Sequence, residues 1–211
     1  MPFALDDDAR TSVRRHFRRK DFEWSEDYFL RVLETAKRKS DIYWAAIALR
    51  DCGTARSIPV LVAKLYYPVQ DVKCVSMLTI AQVARASGTE LYGRALLDPK
   101  YPDKGYAMWA IAEVADHRAV DPVLAYLRKN LSKIRRGKLH SGTLPFGLRY
   151  LQKFSDMSAG IRDLFVHIES CWDHLTKDER TLVSGFLHGD PAHAPLGTVS
   201  QTRTPESDGE K

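Results

Sequence analysis

His167, Cys171 and His174 are the residues whose types best suit a metal ion. Two imidazoles and a thiol at i, i+4 and i+7 share one face of a helix, and mixed nitrogen and sulfur donors match zinc. No fourth ligand stands at a familiar spacing. Phe165, Ile168 and Trp172 surround the three, which equally describes a packed boundary face. No metal site is assigned. Nucleophilic chemistry has no support either. Gly-x-Ser-x-Gly does not occur, and Ser184-Gly185 stands in a helical context. Neither common glycine-rich phosphate loop is present, and no cofactor is expected. Asp6, Asp7 and Asp8 form an acidic cluster, but acids at a helix start complement the macrodipole. Asp71, Asp103 and Asp116 fall near helix boundaries and read as caps. No catalytic residue is assigned.

What remains is charge and aromatic surface. Arg14, Arg15, Arg18, Arg19 and Lys20 form one basic cluster. Arg128, Lys129, Lys133, Arg135, Arg136 and Lys138 form a second, with no acid among them. Two explanations stand side by side: an electrostatic footprint for phosphate or an acidic protein, or a solvated face with cations near a helix C-terminus. Tyr66, Tyr67, Tyr92 and Tyr126 lie on or beside helices that also carry Lys64, Arg94 and Lys129. Tyrosine and arginine are favoured interface anchors, although tyrosines also pack between helices with only the hydroxyl wet.

The elements that carry these residues show in an internal repeat. Shifted by 31 residues, Ala45–Gly53 falls over Ser76–Ala84, and that over Ala107–Ala115. Ile47, Leu78 and Trp109 coincide, as do Leu49, Ile80 and Ile111, and Cys52, Val83 and Val114. Apolar residues at spacings of two to four suit a helix buried over most of its circumference. Thr54–Leu65 likewise falls over Asp116–Leu127. Each of these segments opens with a polar turn, then places Pro59 or Pro122 in the first turn of a helix, where a missing N–H costs little. The unit is helix, turn, helix. A divergent fourth unit runs through Phe146–Phe154 and Ile161–Ile168. Upstream, a helix is expected over about Asp6–Lys20, and Ser25 can N-cap another from Glu26. Downstream, Thr176–Glu179 reads as a capping box for a last helix. No segment alternates as a strand does.

This pattern resembles the HEAT-repeat family, in its short units of about 30 residues, on Leu49–Leu65, Ile80–Leu97 and Ile111–Leu127. It covers residues 41–133 well and 145–175 poorly. The resemblance implies an all-α superhelix, a solenoid whose second helices line a concave face. It also implies that Arg56 and Arg118, at matching turn positions, bond between units. Gly88 interrupts the equivalent turn of the second unit. Residues 1–40 are expected to be N-terminal capping helices, 41–188 the repeat array and last helix, and 189–211 a disordered tail.

Of 211 residues, Lys and Arg number 32 against 27 Asp and Glu, a net +5. Residues 189–211 carry a net −2, leaving +7 on the rest. No apolar run reaches membrane-spanning length, and the acidic start does not resemble a signal peptide. Cys52, Cys74 and Cys171 show no metal or redox spacing and suit free thiols in a reducing cytoplasm. The function expected is a non-catalytic protein-binding module for an acidic partner, in its narrowest form a bacterial immunity protein that neutralises a toxin. Its binding residues would be Lys64, Tyr67, Tyr92, Arg94, Tyr126, Lys129, Lys133, Arg135 and Arg136. The alternative is a nucleic-acid-binding HEAT-like protein, such as an alkylated-base glycosylase. Repeat length alone would also admit a lyase-like accessory enzyme.

Overall fold

A computed structural model describes residues 4–18, 21–139 and 142–189. Among these the chain is all-helical, without strands. The α-helices are α1 (Asp7–His16), α2 (Glu26–Thr35), α3 (Lys39–Cys52), α4 (Ser57–Lys64), α5 (Gln70–Ala84) and α6 (Thr89–Leu97). They continue with α7 (Lys104–Val114), α8 (Val120–Lys129), α9 (Leu131–Ile134), α10 (Thr143–Gln152), α11 (Ala159–Glu169) and α12 (Lys177–His188). No helix among the described residues is long and apolar enough to cross a membrane. The tail expected over 189–211 lies, from residue 190 onward, outside the described residues.

Local chemistry sets many of the helix starts. Asp6 accepts from Ala9 N at 2.7 Å, Ser25 from Tyr28 N at 3.3 Å and Asp103 from Tyr106 N at 3.3 Å. Thr176 and Glu179 complete a reciprocal capping box. Each such cap is worth about 1 kcal/mol. Pro59 and Pro122 sit in the first turns of α4 and α8. The first helix ends at His16 rather than continuing to Lys20. Phe17 caps it and turns into a cluster of rings with Phe22, Tyr28 and Phe29, an aromatic centre the helical spacing did not reveal.

The helices pack in two rows. In the first, α3 lies on α5, α5 on α7, α7 on α10 and α10 on α12. In the second, α2 lies on α4, α6 on α8 and α8 on α11. The rows join most extensively through α2 with α3, α4 with α5, α6 with α7, and α11 with α12. α2, α4, α6 and α11 therefore each pack more extensively on the helix that follows than on the one before. Long-range side-chain hydrogen bonds show the same spacing, with many linking residues 27 to 34 positions apart.

Burial explains this order. On α5, Val72, Val75, Met77, Ile80 and Ala81 are buried, so the helix needs cover on several sides. Ala45, Ala46 and Ala48 of α3 are small enough for α5 to approach closely. There the Thr79 hydroxyl lies 2.8 Å from both the Ala46 and the Val75 carbonyl oxygens. Ser76, one turn back and equally buried, has no hydrogen-bond partner among the described residues. These neighbours should respond oppositely. Thr79→Val should lower the unfolding free energy by about 1 kcal/mol, whereas Ser76→Ala should leave it unchanged or raise it by about as much. Urea denaturation of both variants checks this.

Candidate functional site

Polar turns before α4 and α8 hold networks of ion pairs and hydrogen bonds. Glu26, at the start of α2, has only 11% of its side chain exposed. It accepts from Ser57 Oγ at 2.6 Å, Thr54 N at 2.8 Å and Thr54 Oγ1 at 2.9 Å. Burial alone would raise this carboxyl's pKa. The bonds from Ser57 and Thr54, with the charge of Arg56, outweigh it and hold the group below its ordinary range. Arg56 reaches Asp27 at 2.7 Å. Arg118, its counterpart two units on, reaches Glu90 at 3.3 Å and the Ala86 carbonyl at 3.0 Å, and also grips Asp116 through Nε and Nη2. That guanidinium brings the Asp116 carboxyl down to about 2. Both arginines thus bond to acids of an earlier helix, 29 and 28 positions back in the chain.

The expected binding residues divide into three groups. Lys64 ends α4, and its Nζ stands 5.6 Å from the ring centre of half-buried Tyr67, a cation–π pair. Tyr126 is half-buried on α8, and burial pushes its hydroxyl pKa up. Lys129, Lys133, Arg135 and Arg136 are exposed at the end of α8 and around α9. Arg136 Nε donates to the Ser132 carbonyl at 2.9 Å. Lys129 lies close enough to Lys104 for its charge to lower the pKa of that amine, although burial contributes more. In the first cluster, Arg14 lies over Trp24 at 5.0 Å, while Arg19 and Lys20 fall outside the described residues.

Tyr92 does not belong to any binding face. It is fully buried, and its hydroxyl donates to the Arg85 carbonyl at 2.9 Å. The reason lies in Gly88, where the repeat pattern breaks. A Cβ at residue 88 would stand 2.3 Å from the Tyr92 oxygen and 2.5 Å from its Cζ. The glycine makes room for the ring, and Arg85, at φ 47°, ends α5 so that its carbonyl meets the hydroxyl.

Arg94, exposed on α6, lines a groove of about 860 Å³ with Val62, Leu65, Tyr66, Leu91, Leu97 and Asp98, bounded on the α8 side by Arg118 and Pro122. The lining is mostly apolar. Tyr66 is 50% exposed and Leu97 44%, high for large hydrophobic residues. The Tyr66 hydroxyl donates to Asp98 Oδ2 at 2.7 Å, bridging α4 to the end of α6. Sequence reasoning singled out Arg94 and missed most of this lining. A signal was available: Tyr66 and Leu97 are themselves 31 residues apart, both just where a second helix ends.

The metal-type triad does not assemble. His167 Nδ1 lies 2.7 Å from its own helix's Asp163 carbonyl, and the buried Cys171 thiol donates to the His167 carbonyl at 3.5 Å. Among the described residues no three His, Cys, Asp or Glu side chains converge as a metal site would require. Burial raises the Cys74 thiol's pKa to about 12, with help from Asp103, which accepts its hydrogen at 3.2 Å. This thiol is a poor nucleophile at neutral pH. The chain matches no protein-family model, and no curated protein or solved structure is significantly similar to it.

Two outcomes are expected. Gly88→Ala should cost about 1–3 kcal/mol by overpacking against Tyr92, and Tyr92→Phe about 1 kcal/mol through the lost hydrogen bond, both read by chemical denaturation. Acid should also destabilise the fold. The Glu26 and Asp116 carboxyls sit below their ordinary values of 4.5 and 3.8, so the stability they add is complete above about 4.5 and fades as pH falls toward about 2. A double variant, Glu26→Gln with Asp116→Asn, should be less stable at pH 7 and show a shallower loss across that window in pH-dependent urea melts.

Proposed function

We propose that this protein is a HEAT-like solenoid with N- and C-terminal capping helices, and that it binds a protein partner with an acidic surface without catalysing a reaction. Its narrower form is a cytoplasmic immunity or inhibitor protein that blocks a toxin by occlusion. Hydrogen bonds reaching one unit along the chain support the repeat architecture, as do the two rows of helices.

The observation that carries the functional part is a run of cations. Between Asp121 and Asp156 the chain has no acid, but it has Arg128, Lys129, Lys133, Arg135, Arg136, Lys138, Arg149 and Lys153. All are exposed. Lys129, Lys133, Arg135 and Lys138 have no ion pair or side-chain hydrogen bond among the described residues. Such a concentration of one sign speeds encounter with an opposite surface and disfavours like-charged competitors. The same run suits a phosphate backbone, which is the basis of the nucleic-acid alternative. The protein reading is favoured because α8 carries both the end of this run and Pro122 of the apolar groove. A duplex backbone offers little apolar surface to bury there.

The test compares the wild type with a Lys129→Glu, Lys133→Glu, Arg135→Glu, Lys138→Glu variant in affinity capture from native lysate, at low and moderate salt. The wild type should retain an acidic protein, less at higher salt, and the variant should lose it. Recovery of no protein at either salt overturns the proposal. Retention of duplex DNA instead moves the function to nucleic-acid binding.

A further inference from the structure

Neighbouring helices of the second row touch, with one exception. α2 lies on α4, α6 on α8 and α8 on α11, but α4 and α6 barely meet along their lengths. Just beyond their C-terminal ends, Tyr66 bonds to Asp98. The groove of about 860 Å³ opens where that helix contact is sparse.

The charges of the groove are mostly spoken for. Glu90 is engaged by Arg118 at 3.3 Å. Asp98 accepts from the Tyr66 hydroxyl and, at 2.8 Å, from Lys100 N. Arg118 is held by Asp116 as well. Arg94 is the charged lining residue with no ion pair among the described residues. The Asp98 hydrogen bond and burial raise the Tyr66 hydroxyl's pKa, and the charge of Arg94 offsets only part of that rise. An occupant must therefore bring apolar side chains for Leu91, Leu97 and the Tyr66 ring, and a carboxylate for Arg94. Its own backbone groups must be satisfied internally, since the described residues offer no sheet edge to pair with. A helix meets that condition on its own and sets its apolar side chains along one face, as a groove of this lining requires.

We propose that the slot between α4 and α6 receives an amphipathic helix of the partner protein, apolar on the face that enters and carrying an Asp or Glu on Arg94. This rests on the acidic-partner reading above and adds to it the segment that docks. The cation run at α8–α9 steers the partner, and the slot supplies the buried area that holds it.

A randomised peptide library displayed on phage and panned against the full chain tests this. Enriched peptides are then synthesised, and their affinities measured by fluorescence anisotropy against the wild type, Arg94→Glu, Leu97→Asp and the quadruple glutamate variant. Arg94 and Leu97 are both exposed, so these substitutions should leave the fold intact, as circular dichroism melts will show. The expected peptides carry apolar residues at i, i+3 or i+4, and i+7, with an acid beside them. Each slot substitution should weaken binding about tenfold or more, and exchanging the peptide's acid for Lys should restore affinity to Arg94→Glu. Enrichment of no peptide, or of peptides indifferent to both slot substitutions, overturns the inference. Peptides that lose affinity only with the quadruple variant overturn the slot and leave the acidic-partner reading standing. Slot-dependent peptides combined with an empty lysate capture overturn that reading and uphold the slot.

Discussion

The structure depends on helices that have no adequate solvent face. α3 buries Ile42, Ala45, Ala46, Ile47, Ala48 and Leu49, and α5 and α7 are similarly enclosed. Such a helix must be covered from several directions, and one neighbour cannot do it. The cover comes from elements about one unit away in the chain, and the order of both rows follows. Burying a large aliphatic side chain contributes about 1.5–3 kcal/mol, whereas a typical hydrogen bond nets about 1 kcal/mol. The hydrogen bonds across the turns therefore select register among packings that burial already favours. Glu26, receiving Ser57 and Thr54, and Asp103, receiving Cys74, are examples.

What the sequence made legible is what one turn or one unit decides. Ser25, Thr176 and Glu179 cap because the interacting groups lie three residues apart. The 31-residue shift located α3, α5 and α7, because a buried helix demands similar residues at equivalent positions. Arg56 and Arg118 each pair with an acid of an earlier helix. What stayed hidden depends on volume and angle between elements. Tyr92 has the type of a surface anchor, and only the space left by Gly88 shows that its ring goes inward. The ring cluster around Phe17 joins residues from α1, α2 and the link between them, which share no helical face. The groove lies where α4 and α6 barely meet, and no residue pattern announces a sparse contact.

The charge distribution is compatible with the fold that carries it. α8 turns Val120, Val123, Leu124 and Leu127 inward and leaves Arg128 and Lys129 outward at its last turn. Cations there complement the negative end of the helix dipole. Arg128 also donates to the Gly160 carbonyl at 3.1 Å, tying α8 to α11. Local repulsion among Lys129, Lys133 and Arg135 is thus offset in part by the helix that carries the first of them. The surface can keep a high positive density although the chain supplies no acid between Asp121 and Asp156.

The arrangement of contacts also decides how the molecule bears a load. Each first-row helix touches the one before and the one after, from α3 through α5, α7 and α10 to α12. Tension applied to the two ends of this row passes along these contacts and is shared with the second row through the helix pairs that join them. In the second row the sparsest contact lies between α4 and α6. A helix seated there would act as a splint, stiffening the protein at the place where its own packing leaves it most compliant.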